Sequence, residues 1–233
     1  MSLAFLPSTR LLRTRRAWVP ILGWTAFAVA GAMIARAGGA VRGADHALLG
    51  AYATVALPLL VYGVVAAALG GDSLARSGAS QISLGASPFG VARATVLVSV
   101  AASATIGAVL AVSVAALAHG PQDPPLAADV ARCAEIGALG GAAYGAFFTL
   151  GASFGARGFG RSLLLLVDWF FGVGHGSSAV LTPRAHIRSL LGGVAPLHMT
   201  ARSSFMALTL LAFVCSALAV QRAGRAEWPL PRR

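Results

Sequence analysis

Apolar and polar positions along this chain fall into long blocks rather than into a short alternating period. Six stretches are free or nearly free of charge: 17–35, 47–69, 94–118, 136–156, 162–181 and 203–220. Each approaches or exceeds the roughly 20 apolar residues that a helix needs to cross a ~30 Å hydrocarbon core. Arg, Asp, Gly and Pro collect between them. The pattern predicts an all-α integral membrane protein with six transmembrane helices in a single domain over 1–233.

The punctuation refines this outline. Residues 1–16 mix Phe5, Leu6, Leu11 and Leu12 with Arg10, Arg13, Arg15 and Arg16, the composition of an amphipathic helix lying on a membrane surface. Ala35-Arg36-Ala37 has the look of a signal-cleavage site, but the stretch before it is longer than a signal h-region, and a retained helix is expected. Pro58 removes one backbone donor inside the second stretch and is expected to kink it. Pro121, Pro124 and Pro125 make a stiff connection after the third. The fourth carries Gly137, Gly141 and Gly145 at four-residue spacing, a small-residue line that admits a close helix neighbour. That neighbour is either another helix of the chain or a second copy. Residues 182–202 hold an apolar middle too short to cross, which suits a re-entrant or surface-lying segment.

Composition narrows the class. Hydrophobic residues make up 57% of the chain and charged ones only 11%, against about 25% in soluble domains, so the chain belongs in a lipid bilayer. The net charge of +11 comes entirely from Arg, spread between apolar runs, with no Lys anywhere. Nucleic-acid binding needs a clustered basic face and is set aside. A phosphate-binding loop of the G-x-x-x-x-G-K-[ST] type needs its Lys, so the chain is not itself an ATPase and no enzyme activity is expected. Cys133 and Cys215 fall at different depths and predict no disulfide. Placing both termini on one side assigns twelve Arg to that side and six to the other. The positive-inside rule then puts the termini, and residues 72–93, in the cytoplasm; the Lys-poor, Ala- and Arg-rich composition suggests a bacterial inner membrane.

Three sets of polar residues invite chemistry. Gly151-Ala152-Ser153-Phe154-Gly155 fits G-x-S-x-G, but that motif needs a strand–turn–helix setting, and here it ends an apolar helix far from His175. Asp168 and His175 lie seven residues apart on one face of the fifth stretch. Ionisable groups there point to a pathway or to an ion pair, with Arg161 the expected partner for Asp168. His186, His198 and Met199 lack helical ligand spacing, and no metal site is expected from them.

The connection 72–93 is longer than a tight turn requires. Its Asp72, Arg76, Gly78, Leu84, Pro88 and Arg93 resemble the cytoplasmic loop of the permease subunit of ABC-2 type (type V exporter-like) ABC transporters. The six stretches, the amphipathic N-terminus and the segment 182–202 match that family's layout; Ser77 stands where an acidic residue is usual. The resemblance implies that 72–93 couples to a separate ABC ATPase subunit, that ATP is used there with no cofactor bound by this chain, and that a second copy or a sister permease completes the pathway. A non-transporting membrane scaffold, or an ion-coupled carrier using Asp168, are the alternatives.

Overall fold

A computed structural model describes residues 5–13, 15–174 and 176–226, and every regular element among them is helical. α1 (Phe5–Arg13) is short, with Leu11 buried and Leu12 exposed. α2 (Arg15–Ala37) contains Pro20, whose ring fits against Gly63 of the next helix. A Cβ on Gly63 would lie 2.7 Å from the proline ring. α3 runs over Gly43–Ala68 without a break. The kink expected at Pro58 takes the form of a wide-turn π segment, Leu48–Ala56, directly before it. There the backbone bonds reach five residues back, which accommodates the missing donor and the bulk of the proline ring.

The connection that follows is helical. α4 (Leu74–Ser77) is capped by Ser73, whose hydroxyl accepts the Arg76 N–H, and α5 (Ala79–Ser83) comes directly after Gly78. α6 spans Pro88–Ala118. It begins at Pro88 rather than at 94, because Ser87 accepts the Gly90 N–H at 3.1 Å and Pro88 supplies a preset first turn. α7 spans Leu126–Gly151, starting ahead of the expected 136 and ending before 156. Its polar first turns, through Asp129 and Arg132, stay helical at the edge of the apolar block.

The fifth stretch differs most from the sequence expectation. No single helix covers 162–181. α8 (Gly160–Phe171) has 12 residues, α9 (Pro183–Leu190) has 8, and a short 3₁₀ turn at Ser177–Leu181 lies between them. Gly172, Gly174 and Gly176 withdraw helix propensity within a few residues, and Pro183 can open a helix but not continue one. The two pieces nevertheless run in series. α8 begins against the Gly151 end of α7, where the Gly160 N–H reaches the Phe154 carbonyl at 3.2 Å. α9 ends near the opposite end of α7, where Arg132 donates to the Leu190 carbonyl at 3.2 Å. At 1.5 Å per residue they cover about 18 and 12 Å. α10 (Ala201–Gly224) returns the chain to the end that holds α1.

α2 from Trp18 onward, α3, α6, α7 and α10 are long and apolar enough to cross a membrane, which fits a multi-pass helical membrane protein. α7 is the centre: 67% of its most apolar window is buried, against 17% for α2 and 22% for α10. The peripheral helices turn Leu22, Phe27, Ile34, Leu210 and Phe213 outward, as lipid-facing helices do. α6 and α7 make the closest pair. A Cβ on Gly137 would sit 2.6 Å from the Gly107 carbonyl oxygen, one on Gly141 would collide with the Ser103 carbonyl, and one on Gly145 would meet the Ser103 side chain at 3.0 Å. The glycine line is thus occupied within the chain by Ser103 and Gly107 of α6, with Ala111 beside them.

Gly141→Ala should therefore cost about 1–3 kcal/mol, the usual range for overpacking a close contact. Gly23→Ala, with nothing within 4 Å of the added carbon, should stay within about 0.5 kcal/mol. Unfolding in mixed micelles, followed by circular dichroism, measures both.

Candidate functional site

The break between α8 and α9 is closed by a buried polar cluster. Asp168, in the last turns of α8, has no solvent exposure. Its Oδ2 accepts the Tyr144 hydroxyl of α7 at 2.8 Å and faces Arg184 Nε at 3.2 Å. Its Oδ1 accepts the Arg184 backbone N–H at 3.2 Å. That N–H belongs to the first turn of α9, where helical donors have no partner of their own. One carboxylate thereby answers a phenol, a guanidinium and a helix start, and ties three helices together.

Packing fixes the geometry. Tyr144 stacks on Phe148 with ring centroids 5.5 Å apart. The Arg184 guanidinium lies 4.5 Å from the centre of the Trp169 ring, a cation–π distance. Gly172 makes the approach possible, since a Cβ there would lie 2.8 Å from the Arg184 Cβ. Arg184 Nη2 and His186 Nδ1 have no hydrogen-bond partner among the described residues, while His186 Nε2 is 2.8 Å from the Val180 carbonyl. Opposite charges meet here with no solvent exposure, so the cluster acts as a latch: parting α8 from α9 would strand an unpaired charge on each side. On the outward side of the break, Phe170, Phe171, Val173 and Leu181 are exposed.

This corrects the expected pairing. Arg161 stays near the beginning of α8, donating to the Gly71 and Arg157 carbonyls at 3.4 and 3.5 Å. Seven residues of helix, about 10 Å, hold it away from Asp168. Arg184 takes its place because the break brings the first turn of α9 against the end of α8. Thr182-Pro183 ahead of Arg184 was the available signal, as a helix start inside a segment expected to be re-entrant or surface-lying. His175 lies outside the described residues. Ser153 caps the end of α7 through a 2.7 Å bond to the Leu150 carbonyl, a structural use of the G-x-S-x-G serine. Both cysteines are free and buried.

The residues singled out for docking lie around the other feature of interest, the connection between α3 and α6. Asp72 attracts both Arg10 and Arg161 electrostatically. Arg10 Nη1 donates to the Ser77 carbonyl at 3.0 Å, and burial at this contact lowers the Arg10 pKa, with Asp72 opposing the shift. The Leu74 N–H bonds to the Ala152 carbonyl at 3.0 Å. Gly78 is buried between α4 and α5, Arg76 is exposed, and Leu84 is 82% exposed at the tip. Pro88 and Arg93 stand in the first turns of α6 rather than in a loop. Phe89 packs at Gly224 of α10. The connection thus touches α1, the end of α7 and, through Phe89, the end of α10.

No protein-family profile, curated protein or solved structure matches the chain.

Tyr144→Phe keeps the ring packing and removes one hydrogen bond to a buried carboxylate, so it should lower stability by about 1.5–3 kcal/mol. The same micelle unfolding assay measures it; an unchanged midpoint would remove Tyr144 from the latch.

Proposed function

We propose that this chain is the permease subunit of an ATP-driven ABC-2 type transporter, an exporter of the bacterial inner membrane. It would cross the bilayer six times, with α8 and α9 together forming one discontinuous passage and both termini in the cytoplasm. The observation that carries this reading is the helical connection 72–87. Its exposed tip offers Arg76 and Leu84 to water, while its base rests on α1 and on the end of α7, and Phe89, in the first turn of α6 just beyond it, packs on α10. A partner seated on such a tip moves several helix ends as one body, which is how rigid-body switches pass on a push. ATP would be bound and hydrolysed by a separate ATPase subunit, since a chain without Lys has no Walker-type site. A second copy or a sister permease would supply the other wall of the pathway.

The burial of Asp168 argues against a proton-coupled carrier. Its carboxylate is neutralised by Arg184 and held by Tyr144, with no exposure to water, whereas a proton carrier must reach both sides. It supports a structural or gating role at the passage instead.

Purification of the tagged protein from its own membranes in mild detergent should bring down a stoichiometric partner containing G-x-x-x-x-G-K-[ST]. Arg76→Glu combined with Leu84→Asp should reduce recovery of that partner at least about tenfold without moving the unfolding midpoint. A stoichiometric partner lacking a nucleotide site would replace the transporter reading with a membrane scaffold, and undiminished recovery in the double variant would remove the docking role of the connection.

A further inference from the structure

At the end of the bundle away from α1, where α6 hands over to α7, a second polar cluster has ligand atoms without a hydrogen-bond partner among the described residues. His119 follows the last turn of α6, Asp123 lies in the proline-rich turn, and Asp129 stands in the first turn of α7. One ligand atom from each lies within 4.8 Å of the others, and His119 Nδ1 is 3.8 Å from Asp129 Oδ2. His119 Nδ1, Asp123 Oδ1 and Asp129 Oδ2 are all buried without a hydrogen-bond partner among the described residues. Asp129 as a whole is only 6% exposed.

The other oxygen of each carboxylate is already engaged. Asp123 Oδ2 accepts the N–H groups of Ala44 at 2.9 Å and Gly120 at 2.8 Å. Asp129 Oδ1 accepts the Cys133 thiol at 3.7 Å. These bonds orient both carboxylates and leave one free oxygen on each, the arrangement that outer partners impose on metal-binding carboxylates. Two carboxylates this close, one buried and one half-buried, repel unless something positive sits between them, and the basic side chains bordering the neighbouring cleft, Arg42 and Arg132, make no contact with these free oxygens among the described ion pairs.

We propose that His119, Asp123 and Asp129 bind one divalent transition-metal cation. One imidazole nitrogen and two carboxylate oxygens suit Zn²⁺ or Mn²⁺ rather than a soft, thiolate-seeking ion. Bonds of about 2.0–2.2 Å would bring the donors to about 3.3 Å from one another, so the cluster contracts on binding. A cleft of about 300 Å³, to which Asp45, Asp129 and Cys133 contribute, lies alongside; it gives a hydrated ion its approach and leaves a coordination position to water. The ion would clip the end of α6, the turn and the start of α7, and through the Asp123–Ala44 bond also the start of α3. The signal in the sequence is His119-x₃-Asp123-x₅-Asp129, which lies partly in a loop and so escapes a search for helical ligand spacing. This inference is independent of the transport reading.

Calorimetric titration of chelator-treated, detergent-solubilised protein with ZnCl₂, and separately with MnCl₂, tests it. One saturable ion per chain is expected for at least one of the two. His119→Ala and Asp129→Asn should each weaken binding at least about tenfold, while His198→Ala leaves it unchanged. Because a variant could fold poorly, Co²⁺ loading of the unmodified chain provides a second readout, with visible absorption bands of mixed nitrogen and oxygen ligation expected at one ion per chain. No saturable binding of either ion would overturn the site and leave His119 only as a neighbour of Asp129. So would affinity unchanged from the parent chain in the two variants, or loss of binding in His198→Ala.

Discussion

The pairing of Asp168 with Arg184 is the interaction on which the organisation of this chain depends. A stretch of 162–181 that reads as one helix stops at Phe171, and the polypeptide must still reach the other end of the bundle. It does so in two short helices whose meeting point contains a carboxylate, a guanidinium and a phenol, with neither charged group open to water. Irregular backbone at this depth is stable only where its polar groups are satisfied by protein or by a wet cavity. Asp168 supplies part of that satisfaction by accepting the Arg184 backbone N–H and pairing its charge with the guanidinium. Removing one partner would leave the other charged and buried, a penalty of about 3–5 kcal/mol in comparable settings.

The rest of the bundle gives this latch a rigid wall. Tyr144 reaches Asp168 from α7, and α7 is fixed to α6 by backbone contact along Gly137, Gly141 and Gly145. A rigid α6–α7 pair beside the divided α8–α9 pair places one stiff and one divisible element side by side. On the proposed reading, a push on the connection 72–87 arrives at the end of α7 through Leu74 and Ala152 and at the start of α8 through Arg161 and Gly71. The latch lies about 10 Å further along α8 from Arg161.

Much of this was legible in the sequence, because water and lipid do the sorting that the apolar blocks record. The helices α2, α3, α6, α7 and α10 fall where those blocks lie. Their ends were less legible: Pro88 and Leu126 begin helices outside the blocks, since a helix continues through Arg93, Asp129 or Arg132 once it leaves the hydrocarbon. The interruption after Phe171 was written in Gly172, Gly174 and Gly176, but a count of apolar residues does not weigh glycine spacing. The four-residue glycine line announced a close approach without naming the neighbour. The matching line of Ser103, Gly107 and Ala111 on α6 was there to be read. The partner of Asp168 was not readable, because only the folded break brings Arg184 within 3.2 Å of it.

A double-mutant cycle across this pair tests the central claim most directly. Asp168→Asn, Arg184→Met and the combined variant would be unfolded in the same mixed micelles as the parent chain. If the pair holds α8 and α9 together, each single change is strongly destabilising, and the double variant is more stable than the sum of the two losses by at least about 1 kcal/mol, within the range measured for coupled neighbours. Strictly additive losses would contradict the account, because they would mean that Asp168 and Arg184 are buried side by side without depending on one another.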